Sequence, residues 1–307
     1  MFTLLALLSA CSGGSSATSS TSHTTTPPTT APGHACGRGP SVSAGTTARR
    51  TLRSGGRTRE YLLHVPRGYR SEVPAPVVLV AHGHGGSAAR MAGTLGFDAL
   101  ADRDGVIVAY PQGLVGPDGL SGWSTFGRRA DARVDDVRFV RDLLDRLQTD
   151  LCIDPARVSI TGVSNGGGLA NLTACRMADR VTAAAPVAGA FYPIPGGCAP
   201  SRAVPMLEIH GTADALVPYR GNRRLGFPPI LEYAAQWARR DGCASGPTTV
   251  RRDASVTMQE WTACADNAVV QHVAVAGARH GWPGRSDRSG FDATTAVWEF
   301  FRDHARR

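Results

Sequence analysis

Residues 157–170 read Arg-Val-Ser-Ile-Thr-Gly-Val-Ser-Asn-Gly-Gly-Gly-Leu-Ala. β-Branched residues come first, small residues occupy the middle, and a helical pattern continues to residue 178, as for a strand, a sharp turn and a helix. At the turn stands Gly162-Val163-Ser164-Asn165-Gly166, a Gly-x-Ser-x-Gly pattern. With 36 glycines in 307 residues, random order would give that pattern roughly 0.3 times. The pattern alone decides nothing; its weight depends on what the rest of the chain supplies.

Outward from it, short apolar runs alternate with amphipathic stretches. The runs are 61–65, 75–83 (APVVLVAHG), 106–113 (VIVAYPQG), 157–164, 183–190, 204–211 and 269–277. Val137, Val140, Leu144, Leu147 and Leu151 step by three and four along one helical face, and 87–104, 166–178, 229–241 and 292–304 also read as helices. Strands alternating with helices imply parallel βαβ units. Several runs are almost wholly apolar, as strands covered on both faces must be. The expected class is α/β, a mostly parallel central sheet with helices on both faces.

In such a sheet, reacting groups gather at the carboxyl ends of the strands. A serine hydroxyl there needs a base to take its proton. His280 follows the run 269–277, and Asp214 follows 204–211. The chain order Ser164, Asp214, His280 is the nucleophile–acid–base order of the α/β-hydrolase fold. In triad logic His280 removes the Ser164 proton and returns it to the leaving alcohol, while Asp214 orients the ring. His210, beside the Asp turn, is expected to be a structural hydrogen-bonder. His64 and His272 are mid-strand and expected to be structural, with His304 on the final helix at the surface. The segment AHGHGG (81–86) admits two readings. His-x-His at a strand end can ligate zinc, but such a site wants an Asp or His continuation, and Gly-Gly-Ser-Ala follows. The favoured alternative is an oxyanion loop, in which the amides of His84 and Asn165 bind the developing charge. No metal and no cofactor is expected.

Lysine is absent, and net charge is +8. Arg49, Arg50, Arg53, Arg57 and Arg59 form a basic cluster, read as a solvated face because no aromatic interleaving or nucleic-acid motif accompanies it; no nucleic-acid partner is expected. Residues 1–10 (MFTLLALLSA) are too short to span a bilayer and read as a lipoprotein-type signal peptide, despite lacking a basic n-region. Leu8-Ser9-Ala10-Cys11 is similar to the bacterial lipobox, which marks Cys11 for lipidation. Residues 11–35 are a Ser/Thr/Pro-rich tether, leaving 36–307 as one catalytic domain. The expected location is extracellular, as a surface lipoprotein or, alternatively, fully secreted, with membrane contact only through the anchor. Six cysteines remain, without metal spacing, and an even count in an exported chain favours disulfides. Short intervening segments suggest Cys243 with Cys264 and Cys175 with Cys198; Cys36 with Cys152 follows by elimination.

Longer strings are more specific. His210-Gly-Thr-Ala-Asp-x-x-Val-Pro-Tyr219, Gly162-Val-Ser-Asn-Gly-Gly167, Asp135-Asp136-Val137, Cys152-Ile-Asp-Pro-x-Arg157 and His280-Gly-Trp-Pro-Gly284 together resemble the polyhydroxybutyrate depolymerase family. That family overlaps the feruloyl and acetylxylan carbohydrate esterases. The resemblance spans about residues 36–307 and implies an extracellular serine esterase with Ser164, Asp214 and His280 as its triad. One departure is Gly281, where many members carry Thr. Only about fifteen residues separate the run 183–190 from the next, so an open site is expected, with Trp123 and Trp282 as candidate walls. Short-chain hydroxyalkanoate esters or oligomers are the expected substrates. Feruloyl or acetyl esters on polysaccharide are the first alternative; a non-catalytic surface lipoprotein using the fold for binding is an alternative of another class.

Overall fold

The computed structural model describes residues 36–37, 43–125, 131, 133–284 and 289–306. The signal, Cys11 and tether expectations (residues 1–35) lie outside the described residues. Among the described residues no helix is long and apolar enough to cross a membrane.

The strands are β1 (Thr46–Ser54), β2 (Arg57–Val65), β3 (Ala75–Ala81), β4 (Ile107–Pro111), β5 (Leu114–Val115), β6 (Ser121–Gly122), β7 (Ile153–Val163), β8 (Ala183–Val187), β9 (Met206–Gly211), β10 (Ser245–Arg252), β11 (Val256–Thr262) and β12 (Val270–Val275). The helices are α1 (Ala88–Thr94), α2 (Phe97–Asp104), α3 (Asp136–Asp150), α4 (Asn165–Arg176), α5 (Ile230–Arg240) and α6 (Ala293–Asp303). Ten strands form one sheet in the order β1-β2-β4-β3-β7-β8-β9-β12-β11-β10, and β5 pairs with β6 as a separate hairpin. From β4 to β12 all neighbours are parallel. Antiparallel strands close both edges.

Alternation along the strands feeds two cores. Val77, Leu79 and Ala81 of β3 join Phe139, Leu143 and Leu147 of α3, Leu169 of α4 and Trp237 of α5. Val78 and Val80 face Met91 of α1, Phe97 of α2 and Val297 and Phe301 of α6. Each fully buried Leu or Phe contributes about 1.5–3 kcal/mol over an exposed one, so covering both faces requires the apolar runs seen in the sequence. Helix α3 starts where Asp135 accepts a hydrogen bond from the Arg138 amide at 2.8 Å, an N-cap. The single helix expected over 87–104 is instead two, because Gly96 enters the left-handed region (φ 76°) between α1 and α2.

The basic cluster is a correction in part. Most of it lies exposed on the β1–β2 hairpin, but Arg59 is buried. Its Nη2 is 2.7 Å from Asp136 Oδ1, with side-chain exposures of 3% and 1%, and its guanidinium stacks over Phe139 at 3.9 Å. Strand alternation turns Arg59 inward, where only a paired charge is tolerable. The three expected disulfides, Cys36–Cys152, Cys175–Cys198 and Cys243–Cys264, are all formed. Bridges of this kind persist in oxidising compartments outside the cytoplasm.

Candidate active site

Ser164 stands between β7 and α4 at φ 57°, ψ −118°. A non-glycine residue held there stores about 1–3 kcal/mol. Three backbone hydrogen bonds hold it: its N–H donates to the Val187 carbonyl at 2.9 Å, and its carbonyl accepts from Gly168 and Ala190 at 3.0 Å each. The turn needs its glycines because the end of β3 presses on the start of α4. A Cβ on Gly166 would lie 2.3 Å from the Ala81 carbonyl oxygen, and one on Gly162 would lie 2.6 Å from the Gly166 backbone.

The segment after β3 lies against this turn; a Cβ on Gly83 would sit 3.4 Å from Ser164 Cβ. His82 is fully buried. Its Nε2 accepts from the Gly113 amide at 2.9 Å, so its Nδ1–H donates to the Gly83 carbonyl at 2.7 Å. Burial holds this ring below the usual histidine range, as a neutral imidazole. His84 turns elsewhere, with Nε2 3.0 Å from Asp118 Oδ2. The two histidines of His-x-His therefore diverge, each with its own protein partners, rather than converging as a zinc pair would. The amides of His84 and Asn165 donate to no backbone carbonyl among the described residues.

Trp123 corrects the expectation of a cleft wall. It is 4% exposed, and its indole N–H donates to the His82 carbonyl at 2.7 Å. Its ring packs on His82 at 4.9 Å. Trp123 thus supports the His82–His84 loop from behind. The Asn165 side chain ties the same segment to the serine turn: Oδ1 accepts from the Trp123 amide at 2.7 Å, and Nδ2 donates to the Trp123 carbonyl at 3.1 Å and to Thr125 at 2.9 Å. Trp282 is half-buried; its indole N–H donates to Thr294 Oγ1 at 3.0 Å, and its ring meets Phe97 edge-on at 5.8 Å.

Asp214 follows β9 in a turn whose amides, Leu216 and Val217, donate to Oδ1 at 2.9 and 2.8 Å. His280 Nδ1 donates to Asp214 Oδ2 at 2.7 Å. The loop after β12 reaches over the end of β9 to make this pairing, with the Ala213 amide bonded to the Ala278 carbonyl at 3.0 Å. Burial alone would raise the Asp214 carboxyl, but hydrogen bonds from His210, His280 and the Val217 amide outweigh it and hold the group far below the usual carboxylate range. The structure thus joins Asp214 to His280 directly. No hydrogen bond joins Ser164 Oγ to His280; in free enzymes that contact is often long. Gly281 adopts φ 148°, which side-chain-bearing residues rarely take, so glycine and this loop shape go together.

Behind Asp214 lies a buried polar row in which His210 and His272 hold the structural places expected of them and Glu208 was not foreseen. His210 Nδ1 is 2.8 Å from Glu208 Oε1, and His272 Nδ1 is 2.7 Å from Glu208 Oε2. The available signal was Glu208 itself, a carboxylate in the otherwise apolar run VPMLEIHG, which burial obliges to find partners. A cavity of ≈ 320 Å³ beside Trp298 and Arg157, lined by the first half of β3, contains none of these groups.

A parallel sheet flanked by antiparallel edges, a strained serine turn after β7 and an Asp–His pair after β9 and β12 define an α/β-hydrolase. The family model described as Esterase PHB depolymerase matches residues 59–199. Feruloyl esterase D of Neurospora crassa is 31% identical over 288 residues, covering 88% of this chain and 90% of that protein. The putative esterase NocK of Nocardia uniformis subsp. tsuyamanensis is 33% identical over 274 residues, covering 80% and 77%. Feruloyl esterase B of Piromyces equi is 33% identical over 199 residues, of which this chain spans 37% of the length. Among solved structures, an acetyl xylan esterase from Aspergillus awamori covers 83% of this chain at a TM-score of 0.61 and 16% identity, a likeness of fold. The chain belongs to the PHB depolymerase family of esterases, which overlaps the feruloyl esterases.

Proposed function

We propose that this protein is an extracellular serine esterase that cleaves carboxylic esters through an acyl-enzyme. The observation that carries the reading is the Asp214–His280 hydrogen bond of 2.7 Å, at the same sheet end as a serine held at positive φ. His280 accepts the Ser164 proton as Oγ bonds the ester carbonyl carbon. The alcohol then leaves with that proton. Water, deprotonated by the same ring, releases the acid and restores the serine. The amides of His84 and Asn165 bind the oxyanion in both steps, each contributing about 10²–10³ in rate. Short-chain hydroxyalkanoate esters or oligomers are the substrates we favour. Feruloyl or acetyl esters on polysaccharide are the second reading, favoured by relatives that are feruloyl esterases and a bifunctional acetylxylan esterase/xylanase. Attachment through Cys11 belongs to the same proposal and suits substrates arriving at the cell surface.

A rate series on the exported protein tests it, with p-nitrophenyl butyrate, methyl ferulate, acetylated xylan and hydroxybutyrate oligomers. Ser164→Ala is expected to lose at least about 10⁴ in kcat on all of them while keeping its fold. Ester hydrolysis surviving in that variant would remove Ser164 as the nucleophile. A natural ester preferred about a hundredfold, or roughly 2.7 kcal/mol of transition-state discrimination, would decide between the two substrate readings.

A further inference from the structure

Resting on the triad reading above, we propose that His210 is a positioning residue: a buried imidazolium, clamped between Glu208 and Asp214, that fixes Asp214 as the oriented carboxylate beneath His280. The hydrogen-bond pattern fits the charge. His210 Nε2 faces only acceptors, the Val217 carbonyl at 2.9 Å and Asp214 Oδ2 at 3.2 Å, so it carries a proton. The proton on Nδ1 follows from its other neighbours. His272 Nε2 lies 2.7 Å from the Tyr219 hydroxyl. With that hydroxyl donating, His272 is neutral and its Nδ1–H donates to Glu208 Oε2 at 2.7 Å. Glu208, held below its usual carboxylate range by its two histidine neighbours, accepts on both oxygens, and His210 Nδ1–H donates to it at 2.8 Å.

Glu208, His210 and His272 are all fully buried. A lone charge there would be excluded, whereas an alternating row Glu208⁻, His210⁺, Asp214⁻ satisfies itself. Burial opposes the charged form of His210, but the adjacent Glu208 charge and the bonds to Asp214 and Glu208 push its pKa up to about 10. Burial likewise opposes the Glu208 carboxylate, and the charges and hydrogen bonds of His210 and His272 keep it below its usual range.

Two consequences reach the reaction. Asp214 Oδ2 is shared between two rings while Oδ1 is held by two amides, so the carboxylate cannot rotate away from His280. A fixed cation beside Asp214 also opposes the gain of a second positive charge in the active site. The other titratable or charged groups facing the row are His272 and Tyr219 on the far side of Glu208, Tyr233 on α5, which feels the Glu208 charge, and Arg279 beside His280 in the chain. All stay in place in the variant below.

The experiment has two arms on the whole exported protein. Long-range ¹H–¹⁵N correlation of the histidine rings is expected to show both His210 nitrogens protonated from pH 5 to 8.5. An unprotonated nitrogen on His210 at pH 7 would overturn the proposal. In the second arm the kcat/KM–pH profile of His210→Gln, measured with p-nitrophenyl butyrate, is expected to show its acid limb raised by about one pH unit and its plateau lowered about tenfold. The glutamine keeps a donor but carries no charge, so the protonated form of the active site is favoured and the limb moves upward. A uniform loss with an unmoved limb would mean that His210 only fills space. Ring spectra recorded in Ser164→Ala separate the two readings, since the His210 charge state is visible there whether or not Ser164 is the nucleophile.

Discussion

Replacing Trp123 by Phe separates a wall of the substrate cleft from a support of the catalytic loop. The indole N–H that donates to the His82 carbonyl at 2.7 Å is lost, while most of the apolar ring is kept. Trp123 is nearly inaccessible, so no water replaces that donor without local opening, and an unsatisfied buried carbonyl costs about 1–3 kcal/mol. The His82 ring is itself anchored to Gly113 and Gly83, so relief comes from rotating the 82–84 backbone. That backbone carries the His84 amide. Partial loss of one oxyanion donor, worth about 10²–10³ when complete, gives an expected fall in kcat of roughly 10–100-fold. KM for a small activated ester should stay within about twofold, because no contact to the ground-state substrate is removed. The melting temperature should fall by roughly 2–10 °C for this destabilisation. Steady-state kinetics on p-nitrophenyl acetate with thermal unfolding of the same sample provides both readouts. Lower stability with unchanged kcat would refute the coupling through His82, and a raised KM with unchanged kcat would restore Trp123 as a cleft wall.

Two further predictions concern buried charge. Asp241 accepts from the Val204 amide through Oδ1 at 3.1 Å, while Oδ2 has no partner among the described residues; burial pushes its pKa up to about 7, against about 3.9 in an unfolded chain. A raised folded-state value means that its contribution is full below about pH 4 and is lost as pH rises to about 7. Asp241→Asn should therefore gain about 2–4 kcal/mol on wild type between pH 5 and pH 8, read from urea midpoints; parallel pH profiles would contradict the assignment. Arg59→Met strips Asp136 of its buried partner and should cost about 3–5 kcal/mol, with Asp136→Asn in the same chain recovering part of it; additive losses in the double-mutant cycle would show the pair to be uncoupled.

The central strands were legible because both their faces are buried: β3 has no exposed residue, so it had to be an uninterrupted apolar run. Helix α3 was legible for the complementary reason, one buried stripe at helical spacing. Strands β1, β10 and β11 escaped notice because strands at or next to the sheet edge have less to bury. β10 is exposed along its whole length, and without a hydrophobic alternation it reads as loop. The serine, aspartate and histidine stood out because each follows an apolar run at a glycine-rich turn, where a polar side chain has no packing reason to be. Their supports were hidden, since Glu208 and Trp123 fit a strand and a packing residue equally well until their partners, distant in sequence, are known.

That distance explains the family string Asp135-Asp136-Val137, which lies apart in sequence from Ser164, Asp214 and His280. Asp135 has a local role as the cap of α3. Asp136 reaches further: one oxygen is paired with Arg59 and the other accepts from the Ser124 amide at 2.7 Å. Ser124 adjoins Trp123, whose indole holds the His82 carbonyl and whose backbone is bound by Asn165, the residue after Ser164. The chain of contacts Arg59–Asp136–Ser124–Trp123–His82 therefore runs from an edge hairpin to the loop carrying the His84 amide. A charge placed at the start of α3 is in this way a requirement of the serine turn. It fixes the segment that the serine turn and the His82–His84 loop both lean on, and it uses both oxygens of Asp136 to do so, one for Arg59 and one for the Ser124 amide.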